Sequence, residues 1–358
     1  MKAYNLKKGD KVAIVSLSRG LLGMPFCKHE LDLGIKRLEG MGLVPVFMDN
    51  ALKDMDFLAN HPEARAADLK QAFMDDSIKG IICAIGGDDT YKIIPYLMED
   101  EEFKEAVKNN PKLFTGYSDT TNDHLMLNRL GLSTFYGPNF MVDIAELAND
   151  MLPYTKKHFD MYFNVPSKYE IVSSDIWYNE RESYGPEELG KDRKSNKEEH
   201  GYEVLNGSGT IKGKLYGGCL DSIYDDYTGT RHVDEQEVFS KYGILPTVDE
   251  WKEKVLFLET SDEKMSPEEF NKELSYFKEM GIFNNVKGIL FGKPDDEKYY
   301  DEYKDIIKDI FKDIDTPVLY NMNFGHSSPR CIMPYDMEVE VDYDNKKVVI
   351  NDKMLDIR

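Results

Sequence analysis

A chain of 358 residues with 41% hydrophobic and 12% aromatic side chains is too apolar to remain disordered, and at roughly 150 residues per domain it suggests about two domains. Its 66 acidic against 45 basic residues leave a formal charge of −21, and with no local basic patch this excludes polymeric nucleic acid and anionic membrane surfaces as expected partners. No apolar run approaches the roughly 18 residues of a membrane span. The four cysteines, Cys27, Cys83, Cys219 and Cys331, stand far apart. They suggest neither a disulfide framework nor a zinc knuckle, and a reducing cytoplasm is the expected location.

In chain order, the apolar run Val12–Leu17 is too short for a secretory segment and reads as a first buried strand. Strand patterns over Lys11–Ser18, Leu43–Asp49, Gly80–Gly87, Lys112–Ser118 and Ser133–Gly137 alternate with helical spacing over Lys28–Met41, Pro62–Asp76, Thr90–Met98 and Thr120–Leu130. Such alternation predicts a parallel sheet covered on both faces, with ligands beyond the carboxyl ends of its strands. From Asn179 to His200 the sequence is charged and almost free of apolar residues, which predicts a solvated linker or mobile surface loop. Trp177, on its shoulder, is either a packing residue or a ligand platform. A second α/β segment follows Gly209. Strands are expected at Thr210–Leu215, Val255–Leu258, Lys287–Phe291 and Val318–Tyr320, with helices after the capping box Ser266-Pro-Glu-Glu269 and near Tyr303–Phe311. A closing hairpin pairs Glu338–Asp342 with Lys347–Asn351.

The sharpest local feature is Gly116-Tyr-Ser-Asp-Thr-Thr-Asn122, where a buried strand turns into a helix. A serine at such a turn holds its hydroxyl beyond the sheet, beside backbone N–H groups able to receive an oxyanion, so Ser118 is a candidate nucleophile. Thr120 stands where a full nucleophile elbow has its second glycine, and Ser118 is equally readable as a helix cap. At a second strand end, Gly86-Gly87-Asp88-Asp89 offers bare backbone for close approach to a ligand. No nucleotide-cradling Gly-x-Gly-x-x-Gly or Walker pattern is present. Among seven histidines, His326 in Phe324-Gly-His-Ser-Ser-Pro-Arg330 has the context of a base. His29, His61, His158, His200 and His232 read as surface residues, and His124 lies on the helix after Ser118. Glu259, ending a hydrophobic strand, could orient His326 or merely cap the next element.

The set Gly-Tyr-Ser-Asp at 116–119, Leu-Glu at 258–259 and Phe-Gly-His at 324–326, in the order Ser, Glu, His, resembles the LD-carboxypeptidase family of serine peptidases. Gly-Gly-Asp-Asp at 86–89 and Gly213-Lys-Leu-Tyr-Gly-Gly-Cys-Leu-Asp221 extend the resemblance, which runs from Gly9 to about Asp342. It implies a flavodoxin-like, parallel-sheet first domain over 1–165, a linker and substrate loop over 166–208, and a smaller α/β domain over 209–358. It further implies Ser118 as nucleophile, His326 as base, Glu259 as its orienting carboxylate, and the N–H groups of Gly87 and Asp119 as the oxyanion hole. No metal, no cofactor and a homodimer are implied as well.

Ser174-Asp-Ile-Trp-Tyr-Asn-Glu-Arg181 and the charged stretch after it resemble the long loop of the branch related to the microcin C self-immunity protein. In that branch a tryptophan stacks on the base of an aminoacyl- or peptidyl-nucleotide. This implies Trp177, with Gly86 and Asp88, as substrate-binding residues. A murein tetrapeptide, trimmed of its terminal D-Ala, is the alternative substrate, and a non-catalytic peptide- or nucleotide-binding protein is the rival class. Two departures stand out. Cys219 occupies a position where the family commonly has Asn, which is expected to alter a hydrogen bond near the site. Tyr335-Asp336 replace a small apolar residue and Gly, which is expected to reshape a substrate-facing loop.

Overall fold

The computed structural model describes all residues from Met1 to Arg358. The five strands expected in the first part form one parallel sheet, in the order Phe135–Tyr136, Leu113–Gly116, Ile78–Cys83, Lys11–Val15, Val44–Phe47. Each is shorter than its expected range, and the residues that follow Ile78–Cys83 and Leu113–Gly116, Ile85–Gly87 and Tyr117–Ser118, leave the ladder and line the cleft. Leu113–Gly116 is buried at every position, as a parallel strand covered on both faces must be. Helices Lys28–Gly40, Pro62–Met74 and Thr121–Arg129 match the expected ones. Thr90–Met98 divides into a 3₁₀ turn and the short helix Ile94–Met98, with Pro95 in its first turn. Two further helices, Met55–Asn60 and Glu101–Asn109, begin at aspartate caps, where Asp54 and Asp100 accept from the N–H groups of Phe57 and Phe103.

The second sheet has eight strands, in the order Tyr169–Ile171, Lys347–Ile350, Glu338–Asp342, Thr210–Cys219, Lys254–Glu259, Gly288–Gly292, Val318–Met322, Glu203–Asn206. Its four middle strands, Thr210–Cys219 through Val318–Met322, are parallel, and the expected closing hairpin pairs Val339 with Ile350. The Ser266–Glu269 capping box forms and opens helix Pro267–Glu279.

Residues 166–208, which the resemblance implies to be a linker and substrate loop, carry four short strands. Tyr169–Ile171 and Glu203–Asn206 close opposite edges of the second sheet, while Met333–Pro334 returns to pair with Phe135–Tyr136 in the first. Edge strands of two to four residues are too short to show an alternating apolar pattern. The charged stretch is tied down as well. Ser195–Lys197 pairs with Ile176–Tyr178, and the guanidinium groups of Arg181 and Arg193 both close on Glu146, all three side chains being buried. Part of the charge in this loop thus lies in internal, hydrogen-bonded ion pairs, while Lys191, Asp192, Lys194, Lys197 and Glu199 stay exposed, as expected of a surface loop. All four cysteines are free and buried, and no helix is long and apolar enough to cross a membrane.

Candidate active site

The carboxyl ends of the two sheets meet across one cleft. On the first side, strand Leu113–Gly116 passes through the turn Ser118–Thr120 into helix Thr121–Arg129. Ser118 sits at this turn with φ +68°, a left-handed conformation that costs a non-glycine residue strain and occurs preferentially at functional turns. Gly86 permits the arrangement, since a Cβ there would lie 2.7 Å from the Ser118 Cβ. On the second side, Glu259 ends strand Lys254–Glu259 and His326 follows strand Val318–Met322.

The sequence-predicted trio comes together. His326 Nε2 lies 3.0 Å from Ser118 Oγ, and its Nδ1 lies 2.9 and 3.1 Å from the two Glu259 oxygens. The His326 backbone N–H also donates to Glu259, at 3.1 Å. Gly325, at φ +79°, leaves room for that carboxylate, because a Cβ there would lie 2.2 Å from the Glu259 carboxyl carbon. Burial alone would depress the imidazole pKa. The Glu259 carboxylate, helped by Asp262 at 3.6 Å, outweighs it and holds His326 up at about 9. Such a group takes a proton readily and keeps it until a better acceptor appears.

Two residues that the sequence did not single out fix this geometry. The Tyr136 hydroxyl donates to Glu259 and accepts from the Ser118 N–H at 3.0 Å, linking the two sides of the cleft. Arg330, buried and paired with Asp143, donates to the carbonyls of Gly325 at 2.7 Å and His326 at 3.0 Å and lies 4.2 Å from the Tyr117 ring centre. An arginine four residues after the histidine is the only signal the sequence carries for it. The Gly86–Asp89 loop is held from behind, where Asp89 accepts from Arg65 at 2.7 Å and from Ser18 at 2.7 Å. No protein acceptor takes the N–H of Gly87 or of Asp119. The Asp119 side chain is buried and held by the Thr90 N–H at 2.8 Å and Arg231 at 3.2 Å.

Two lobes open from His326. The smaller, about 310 Å³, contains Ser118, Gly86, Gly87, Asp88 and Asp119, with Asp221, Asp262, Glu263 and Glu273 on its walls. The larger, about 510 Å³, is lined by Phe26, Tyr117, Tyr184, Arg193 and Arg330 among others. Arg19, Ile85, Tyr117, Val142, Asp262 and His326 belong to both. Trp177 lines neither. It is buried on strand Ile176–Tyr178 with the Lys293 ammonium 5.3 Å from its ring centre, whereas Tyr184, with Glu180, Gly185, Pro186 and Arg193 of the loop that follows, lines the large lobe. The loop reaches the first domain through His29 Nε2, 2.8 Å from the Tyr184 carbonyl.

Other expectations change. His158 is buried rather than superficial, its ring against the Tyr154 carbonyl at 2.8 Å, and burial pushes it down to about 4. Tyr335 faces no substrate: it is fully buried, stacks on His124 at 4.8 Å and donates to the Gly217 carbonyl at 2.6 Å. Cys219 lines the small lobe, with its N–H bonded to Thr121 Oγ1 at 3.0 Å. Cys219, Glu259 and His326 could in principle share a metal ion. The buried thiol is pushed well above its ordinary pKa, and a metal would have to displace the bonds His326 makes to Glu259 and Ser118, so the set is poorly suited to one.

Known proteins resemble this chain across both sheet domains. Residues 12–137 match the LD-carboxypeptidase N-terminal domain and residues 212–341 the LD-carboxypeptidase C-terminal domain. A crystal structure of an MccF-like protein from Streptococcus pneumoniae in complex with AMP is 45% identical, with a TM-score of 0.90 over 95% of this chain and 98% of that one. Among curated relatives, the Probable murein peptide carboxypeptidase of Bacillus subtilis is 27% identical, over 98% of this chain and 94% of its own length. The Microcin C7 self-immunity protein MccF of Escherichia coli is 25% identical, over 99% and 96%. The chain belongs to the LD-carboxypeptidase family and is a serine peptidase of that family, with a mixed α/β fold of two sheet domains.

Proposed function

We propose that the protein hydrolyses the amide bond of aminoacyl- or peptidyl-nucleotide conjugates, with Ser118 as nucleophile, His326 as base and Glu259 as its orienting carboxylate. The observation that carries this reading is the unbroken hydrogen-bond path from Ser118 through His326 to Glu259, lying between an acidic lobe and an aromatic one. Ser118 Oγ attacks the carbonyl carbon while His326 Nε2 takes its proton, and the resulting imidazolium is stabilised by Glu259. The unpartnered N–H groups of Gly87 and Asp119 would receive the oxyanion. Collapse breaks the C–N bond as His326 protonates the leaving nitrogen. Water then attacks the acyl-serine, gives a proton to His326, and the serine is released as that proton returns to Oγ. His326 carries every proton in this sequence, so the steps require no metal or cofactor.

The nucleotide leaves through the large lobe, its base against Tyr184 and Phe26 and its charge near Arg19. In this reading stacking passes from Trp177, whose ring is covered by Lys293, to Tyr184. The Streptococcus pneumoniae relative is in complex with AMP, which supports a nucleotide as ligand. The acyl group occupies the small lobe, whose carboxylates favour an ammonium. That same acidity favours the second reading, a murein tetrapeptide, since a diamino acid carries an extra ammonium. Side-by-side hydrolysis of an aminoacyl-sulfamoyl adenosine and a murein L,D-tetrapeptide decides between them. The nucleotide reading expects turnover of the first and little of the second, and the reverse would transfer the protein to cell-wall recycling. No turnover of either would favour the non-catalytic binding protein.

A further inference from the structure

Tyr136 touches both the nucleophile turn and the carboxylate that orients its base, although the two belong to different sheets. It ends the short strand Phe135–Tyr136 in register with Gly116, the last strand residue before the turn at Ser118. Its side chain is fully buried and reaches across to the second sheet, where Phe257 and Glu259, two residues apart on one strand, point to the same face. The Phe257 ring lies 5.7 Å from the Tyr136 ring, and the Glu259 carboxylate accepts from the Tyr136 hydroxyl. The same oxygen accepts from the Ser118 N–H at 3.0 Å. Glu259 is 2% exposed and no lysine or arginine pairs with it. Its donors are the Tyr136 hydroxyl and the backbone N–H and Nδ1 of His326. Burial and the Glu259 charge push the phenol well above its ordinary pKa, which keeps it a donor. His124, Tyr117, Tyr335 and Cys219, the other titratable groups around it, are held neutral by burial.

We propose that Tyr136 is a positioning residue for both the nucleophile and its base: one hydroxyl holds the Ser118 N–H in its left-handed turn and competes with His326 for Glu259. This rests on the roles proposed above for Ser118, His326 and Glu259. Because the Ser118 N–H is engaged by Tyr136, the oxyanion is left to the N–H groups of Gly87 and Asp119, which have no protein acceptor. A donor on Glu259 also draws part of the carboxylate's charge away from the imidazole, so His326 is less basic than Glu259 alone would make it. His326 further faces Asp262 and Arg330, neither of which is bonded to Tyr136. Without the hydroxyl, the carboxylate acts on the imidazole undivided and the Ser118 N–H is left without its partner.

Phosphonylation of the full-length protein by an alkyl fluorophosphonate reads both effects without a choice of natural substrate. The bond from Ser118 Oγ to phosphorus forms as the P–F bond breaks, fluoride leaves, and His326 takes the serine proton. The labelling rate should rise with pH as the imidazole becomes neutral. Tyr136→Phe keeps the ring and its contacts and removes only the hydroxyl. It should label about tenfold more slowly at the plateau, with a midpoint at least about half a pH unit higher, as expected for the loss of one hydrogen bond to a charged group. Glu259→Gln should move the midpoint the other way, so the two ends of one bond displace the profile in opposite directions. Tyr335→Phe is the control, since it removes another buried hydroxyl, bonded to the Gly217 carbonyl, from a ring that also packs on Phe257. Its midpoint should stay in place. An unchanged rate in Tyr136→Phe, a slower rate with the midpoint unchanged or lowered, or an equal displacement in Tyr335→Phe overturns the role of Tyr136 alone. No adduct on Ser118 in the unaltered protein removes the triad reading together with it.

Discussion

The two lobes that meet at His326 are made of different materials. Around the reacting serine the smaller is built of backbone and short side chains, Gly86, Gly87, Ser118, Ser222 and Ser261, set by strand ends and a positive φ at the serine, with carboxylates farther out on its walls. The larger is walled by long side chains, Phe26, Tyr184, Arg193 and Arg330, on a loop and a helix held by buried ion pairs. Reacting atoms need positional accuracy, which backbone supplies, whereas recognition needs shape and polarity, which side chains supply. Substitutions should therefore separate: those in the small lobe act on turnover, those in the large lobe on affinity.

The largest effect belongs to the elbow. Ser118→Ala should lower turnover of an adenosine conjugate by roughly 10⁴- to 10⁶-fold while AMP affinity, measured by calorimetry, stays unchanged. A parallel loss of AMP binding would mean that the lobes are not separable. Next comes the orienting carboxylate. Glu259→Gln should cost about 10³- to 10⁴-fold in kcat and move the pH profile of kcat/KM to lower pH, because the carboxylate is what holds His326 at about 9. In the unaltered protein kcat/KM should rise with pH towards that value as the imidazole becomes neutral. Stability should run the other way. A folded-state pKa raised above the unfolded value of about 6.5 stabilises fully below that value, and the contribution is lost as pH rises through about 9. Urea midpoints at either end of this window check the sign.

The smallest effects sharpen the comparison within a single loop. Tyr184→Ala should weaken an adenosine ligand by about 1–3 kcal/mol with kcat nearly unchanged. Trp177→Ala should leave affinity alone and lower the unfolding midpoint, removing a buried ring worth about 3 kcal/mol. Exchanged outcomes would restore Trp177 as the stacking residue.

What the sequence made legible follows from how local each signal is. The strand, turn and helix around Ser118 are contiguous, so apolar periodicity and Gly116 announce them. Glu259 and His326 are each ambiguous alone and gain meaning from their order after Ser118. Tyr136 and Arg330 were invisible, since a strand tyrosine and a loop arginine reveal their partners only once two sheets face each other. Trp177 was placed by position beside a polar stretch. That stretch folds back on Glu146 through Arg181 and Arg193, and the tryptophan goes inside with it. His158 looks superficial in sequence because its charged neighbours, Lys156 and Lys157, conceal which face of a short helix is buried.

The central claim is that Ser118 is the nucleophile both lobes serve. Its most direct test is covalent labelling of the full-length protein with an alkyl fluorophosphonate, which forms a phosphorus–oxygen bond to an activated serine with loss of fluoride, followed by peptide mass mapping. A single adduct is expected on Ser118, absent from Ser118→Ala and slowed in Glu259→Gln. An adduct on another residue, or labelling of Ser118→Ala at the rate of the unaltered protein, would contradict it.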